Sequence, residues 1–151
     1  MASLEEALKQ KAFESELVKA NLNVLYTANW LYNKINAVLK TYNLTHEQFN
    51  VLRILKGSQP NSMCQKDILS RMIAPNSNVT LIIKKLVAKN YVLVAQSDAD
   101  KRHYDIRITE EGLLLLHEVN QAIANNKHTF NGLSVSESFH LNALLDKLRS
   151  E

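Results

Sequence analysis

The stretch "SDADKRHYDIRITEEG", Ser97 to Gly112, decides how this chain is read. It sets Asp98 and Asp100 beside Lys101, Arg102 and His103, then alternates through Tyr104, Asp105, Ile106, Arg107, Ile108 and Thr109. A charged tip followed by period-two alternation predicts a loop and the return strand of a hairpin. Just upstream, "YVLVA" (Tyr91 to Ala95) predicts the outgoing strand, with "QSDADKRH" as the loop between them. Tyr104, Ile106 and Ile108 are then expected to face the core while Arg107 faces out. Downstream, Thr109 or Glu110 opens a helix through Leu115, Leu116, Val119 and Ile123, reaching toward Phe130.

Three short helices are expected before the hairpin. Thr45-His46-Glu47-Gln48 fits a capping box, in which the Thr hydroxyl takes one orphan N–H and the Gln reaches back. The helix it opens turns Phe49, Leu52 and Leu55 inward, and "KGSQPN" ends it. Ser62 to Gln65 repeats the pattern and opens a second helix with Ile68, Leu69 and Met72 on its apolar side, ended by "APNSN" at Pro75. The third, about Ser77 to Lys89, places Val79, Ile82, Ile83 and Leu86 on one face. Ser77, Thr80, Leu81, Lys84, Lys85 and Ala88 share most of the other. Asn90 follows, a residue that tolerates the left-handed conformation at a helix end.

Longer elements flank this group. From Leu17 to Tyr42, Val24, Ala28, Leu31, Ile35 and Val38 recur at spacings of four and three, with Val18, Leu25, Tyr32 and Leu39 as a flanking row. So wide a stripe exceeds what a small domain covers and calls for a second chain as well as an intrachain core. Ser134 to Glu137 is another capping box, opening a last helix marked by Leu141, Leu144, Leu145 and Leu148. With only three glycines and two prolines in 151 residues, a mainly α chain with one small antiparallel hairpin is expected.

Charge is uneven. Residues 45–110 hold ten Lys/Arg against six acids, whereas 1–44 hold five against four and 111–151 three against five. A basic centre between near-neutral flanks points to a polyanion-facing module on a scaffold, although a merely solvated surface gives the same count. The N-terminal "MASLEEALKQ" lacks the apolar core of a signal peptide, and no run approaches the ~18 apolar residues of a membrane span. A lone cysteine, Cys64, excludes an intrachain disulfide and fits a reducing, cytoplasmic setting. It is read as a buried structural thiol. His46, His103, His117, His128 and His140 show no metal-ligand spacing and are read as exposed or capping. Neither a nucleophile–base pair nor a nucleotide-binding motif is present, so neither an enzyme nor a cofactor is expected.

Three short helices followed at once by a basic-tipped hairpin is the order of a winged helix-turn-helix. A helix enters the major groove of DNA only with a polar, small and cationic outer face. Ser77, Asn78, Thr80, Leu81, Lys84 and Lys85 meet that description as recognition-helix residues. Asp100, Lys101, Arg102, His103 and Arg107 suit a wing lying along phosphates or in the minor groove. Asp100 is expected to hold Arg102 in position.

The run "LTHEQFNVLRIL … SNVTLIIKKLVAKNYV … DADKRHYDIRITEEG" resembles the MarR family of bacterial transcriptional regulators over roughly residues 20–120. Its most specific elements are Asp100 with Arg102 in the wing, and Ile108, Thr109 and Gly112 after it. The resemblance implies a homodimer with interlocked terminal helices and two winged modules reading a pseudo-palindromic double-stranded operator. It implies repression, relieved when a small aromatic or phenolic effector enters the crevice between dimer helices and DNA module. The expected organisation is one intertwined domain: residues 1–44 for dimerisation, 45–110 for DNA and 111–151 for the remaining dimer helices. Tyr26 and Trp30 are candidates for lining the effector pocket, with core or dimer contact as the alternative. Leu81 departs from the family pattern, which often has Arg there, as do Val94 (Arg) and Asn90 (Gly). The first two bear on DNA sequence preference. A protein-interaction module without DNA binding is the alternative reading of the whole.

Overall fold

The computed structural model describes residues 3–75, 78–97, 101, 104–125 and 132–150. Their elements are α1 (Leu4–Leu8), α2 (Glu16–Thr41), α3 (His46–Ser58), α4 (Gln65–Arg71), α5 (Val79–Ala88), β1 (Val92–Gln96), β2 (Tyr104–Ile108), α6 (Glu110–Asn125) and α7 (Val135–Arg149). The mainly α architecture with one antiparallel hairpin is as expected from the sequence.

Local chemistry sets most helix ends. The Ser15 hydroxyl accepts the Val18 N–H at 3.2 Å and starts α2, a helix of 26 residues. At its other end Asn43 sits at φ 53, and the Leu44 N–H donates to the Leu39 carbonyl at 3.0 Å. Both capping boxes at Thr45 and Ser134 form. After α5, Asn90 adopts φ 60; its N–H donates to Val87 and that of Tyr91 to Leu86, the paired bonds of a Schellman motif.

The capping pattern at Ser62 does not form. Cys64 occupies the N-cap of α4 and makes no side-chain cap bond. The cause is long-range: Met63 is held extended in a bridge to Ile106, its N–H donating to the Ile106 carbonyl at 3.1 Å and its carbonyl accepting the Ile106 N–H at 2.9 Å. Helix geometry therefore begins only after residue 64, and Cys64 is half-buried rather than buried.

The hairpin pairs Val92 with Ile108, Val94 with Ile106 and Gln96 with Tyr104. Ile106 and Ile108 are buried as expected, but Tyr104 is exposed. It pairs at the far end of the ladder, past the helices that cover the other two. Leu39, Leu52, Leu55, Ile68, Leu86, Ile106 and Leu116 are fully buried together, drawing on six elements from α2 to α6. Each such side chain contributes about 1.5–3 kcal/mol of burial.

The junction after β2 is tight. Thr109 donates its hydroxyl to the Asn90 carbonyl at 2.7 Å and accepts the Gly112 N–H at 3.0 Å, while its own N–H reaches the Tyr91 carbonyl at 3.1 Å. A Cβ on Gly112 would lie 2.3 Å from the Tyr91 carbonyl oxygen and 2.8 Å from Ile108 Cγ1. Close approach of α6 to the hairpin is what requires glycine here.

Two apolar faces stay uncovered within the chain. No described residue of α7 is buried, and Phe139, Leu144 and Leu148 face solvent. On α2 only Leu39 is fully withdrawn, whereas Leu17, Leu25 and Tyr32 are exposed. The short α1 adds an element beyond those expected, opened by a capping box between Ser3 and Glu6. The Lys19 ammonium, 2.7 Å from Glu5, ties α1 to α2 and holds the Glu5 carboxyl below its ordinary value.

Candidate nucleic-acid interface

Helices α4 and α5 pack through Ile68, Met72, Val79, Ile83 and Leu86, which fixes the opposite side of α5 toward solvent. That side presents Thr80, Leu81, Lys84 and Lys85, all exposed. Asn78 is the N-cap, its side-chain oxygen accepting the Leu81 N–H at 3.1 Å. Its amide NH2 remains to meet a ligand. Leu81 is 46% exposed, an apolar group standing among polar ones. Ser77 lies outside the described residues.

One cross-helix bond organises the start of α5. The Thr80 hydroxyl donates to Gln65 Oε1 at 3.1 Å, joining the first residue of α4 to the second of α5. In the sequence Gln65 stands out only as the end of a capping pattern. The two residues are fifteen positions apart, and only the turn between the helices brings them together.

On the hairpin, Arg107 is exposed and pairs across the ladder with Leu93, also exposed. Lys101 is exposed at the tip, and its carbonyl accepts Gln96 Nε2 at 2.6 Å, which ties the loop to the end of β1. Asp100, Arg102 and His103, and with them the expected Asp100–Arg102 brace, lie outside the described residues. Among the described residues the ion pairs are Lys19–Glu5 and Arg149–Asp146, and neither includes Lys84, Lys85, Lys101 or Arg107. Within that set the face is cationic and unneutralised.

Between α2, α3 and the segment after α4 lies an apolar crevice of about 150 Å³ lined by Tyr32, Ile35, His46, Phe49, Arg53 and Met72 among others. The His46 ring stacks on Tyr32 with centroids 3.7 Å apart and planes 15° from parallel, and His46 Nε2 lies 2.9 Å from the Tyr32 carbonyl oxygen. That stacking makes His46 half-buried, where an exposed or capping role was expected. Arg53 sits over the Phe49 ring at 5.7 Å. Tyr26 and Trp30 lie elsewhere, lining shallow depressions beside Asn33 and Lys34 and against α1. Among the described residues no group of His, Cys, Asp or Glu is placed to hold a metal, and no helix is long and apolar enough to cross a membrane.

A two-helix turn with an exposed cationic second helix, followed directly by an antiparallel hairpin packed against that helix, defines the winged helix-turn-helix class. Solved structures share this fold. A MarR-like transcription regulator of Bacillus cereus superposes with a TM-score of 0.75 at 21% identity, over 89% of this chain and 96% of that one. An Escherichia coli MarR variant, solved in complex with operator DNA, gives 0.77 at 18% identity over 93% and 100%. Among curated proteins, the HTH-type transcriptional regulator MgrA of Staphylococcus aureus is 29% identical over 126 residues, 82% of this chain and 84% of that protein. PecS of Dickeya dadantii, also an HTH-type transcriptional regulator, is 24% identical over 116 residues, 76% and 70%. Residues 33–119, more than half of the chain, match the family described as transcriptional regulator SarA/Rot. The chain belongs to that family of transcriptional regulators, with the MarR-like fold, and the family is one of regulators rather than enzymes.

Proposed function

We propose that the protein is a cytoplasmic homodimer that binds a pseudo-palindromic double-stranded operator and represses transcription until a small aromatic or phenolic effector releases it. The observation that supports DNA binding is the exposure of Lys84 and Lys85 on α5 and of Lys101 and Arg107 on the hairpin that follows it. Residues 45–110 supply this module. Asn78, Thr80 and Leu81 meet base edges in the major groove, with Ser77 just before them in the chain. Asp100, Arg102 and His103 complete the wing.

Dimerisation through residues 1–44 and 111–151 is supported by the uncovered apolar faces of α2 and α7. A two-fold dimer reads two half-sites about 10 bp apart on one face of the duplex. The effector reading is supported by the crevice at Tyr32, His46 and Phe49, whose flat walls suit a planar ring. It stands at the boundary of scaffold and DNA module, where a ligand can bias their relative orientation.

The test is duplex binding across a salt series, using the DNA flanking the gene, with and without phenolic ligands. Each phosphate contact steepens the decline of log affinity with log salt by about 0.9. A steep slope, a protected palindrome and ligand-induced release are expected. The exposed Leu81, Leu93 and Val94 favour a second reading, a protein-interaction module. Absence of duplex binding together with capture of a protein partner decides for it.

A further inference from the structure

The direction of the Thr80–Gln65 hydrogen bond bears on what the recognition helix reads, given the DNA-binding reading above. A threonine hydroxyl has one proton and two lone pairs. Here the proton is committed: Thr80 donates it to Gln65 Oε1 at 3.1 Å. An exposed threonine without such a partner turns its hydroxyl to suit either a donor or an acceptor, and so discriminates poorly between base edges. In this arrangement Thr80 presents its lone pairs outward.

We infer that Gln65 is a positioning residue that makes Thr80 an acceptor-only reader, so that it selects a base presenting an amino group in the major groove. Only adenine N6 and cytosine N4 supply such a donor; guanine O6 and N7 and thymine O4 are acceptors and face the Thr80 lone pairs unfavourably. The placement supports this. Thr80 is the second residue of α5, in the first turn of the helix, which is the part that reaches base edges. Leu81 follows it, 46% exposed, and matches a thymine methyl. Together they favour an A·T pair or an adjacent A and T at one position of each half-site. Gln65 keeps its own Nε2 hydrogens for a backbone phosphate, so one side chain links backbone docking to base choice.

The experiment uses the full-length protein. Duplexes are selected from a randomised pool, and the affinity of the preferred site is measured against versions lacking one amino group in one half-site. These carry 2-aminopurine for adenine, which still pairs with thymine, or pyrimidin-2-one for cytosine. Wild type should lose about five- to tenfold on deletion of the amino group read by Thr80, the range of one hydrogen bond. T80V should bind both duplexes alike, because the acceptor is gone. Q65L should shrink the penalty to under about twofold and accept guanine or thymine at that position, because the freed hydroxyl can then donate. Both residues are exposed, and matched melting curves establish that the variants fold. A wild-type preference for an acceptor edge, or an unchanged amino-group penalty in Q65L, overturns the assignment. Salt-insensitive or absent binding to every duplex overturns the DNA-binding reading itself, and this inference with it.

Discussion

Gly112→Ala sets two physical effects against each other, and the structure decides which wins. Gly112 lies inside α6 without a positive φ, so helix propensity alone predicts that alanine stabilises by about 1 kcal/mol. The added Cβ, however, would stand 2.3 Å from the Tyr91 carbonyl oxygen, well short of ordinary contact. The obstacle is backbone, anchored by the Thr109 N–H at 3.1 Å, and cannot swing aside as a side chain would. Overpacking of this kind costs about 1–3 kcal/mol, here at the upper end, leaving a net loss of about 2 kcal/mol. With a urea dependence of about 1–3 kcal/mol per molar, the unfolding midpoint should fall by about 1 M. Protein concentration is held constant, since association shifts the midpoint. Gly57→Ala is the control: Gly57 lies in α3, and a Cβ there would meet nothing within 4 Å, so propensity acts alone and the midpoint should rise. If both substitutions move the midpoint upward, the close-approach argument is refuted.

Three other outcomes concern the interface, the wing and the last helix. Leu144→Glu places a charge on the uncovered face of α7 and should convert the proposed dimer to monomer in sedimentation equilibrium; an unchanged mass removes α7 from the interface. Arg102→Ala should lower the salt slope of operator binding by about one unit, through loss of a single phosphate contact, and an unaltered slope argues against a wing contact there. The Ser134 backbone N–H, 2.7 Å from Glu137, holds that carboxyl below its ordinary value. A depressed folded value means the stabilisation is present above the ordinary value of 4.5 and is lost as pH falls through the lower folded one. Acid titration of the Glu137 carboxyl by NMR should therefore show a lowered midpoint, and Glu137→Gln should remove the acid-sensitive part of α7 helicity.

What is legible in the sequence is what depends on neighbours within four residues. The capping boxes at Thr45 and Ser134, the left-handed Asn90 and the amphipathic faces of α3 and α5 all have that character. The box at Ser3 is equally local, but the helix it opens has only five residues, too few to show an apolar period. Ser62 looks identical to the others and fails because Met63 is claimed by Ile106, a partner far along the chain. Alternation marks Tyr104 as inward, but the inner face of a strand is buried only as far as something covers it. On α5, residue type and helical period place Thr80, Leu81, Lys84 and Lys85 outward. Gln65 bonded to Thr80, and His46 stacked on Tyr32, depend on how helices cross, which periodicity does not encode.

The bridge between Met63 and Ile106 has a mechanical consequence. It stitches the lead-in to α4 onto the return strand, so the hairpin and the helix pair behave as one tile rather than two hinged parts. A tile of that kind presents a template of constant shape within each half-site. In the proposed dimer, the coordinate left for a switch to act on is the distance and tilt between the two tiles. The operator of such a dimer should accordingly lose binding sharply when a single base pair is inserted between its halves.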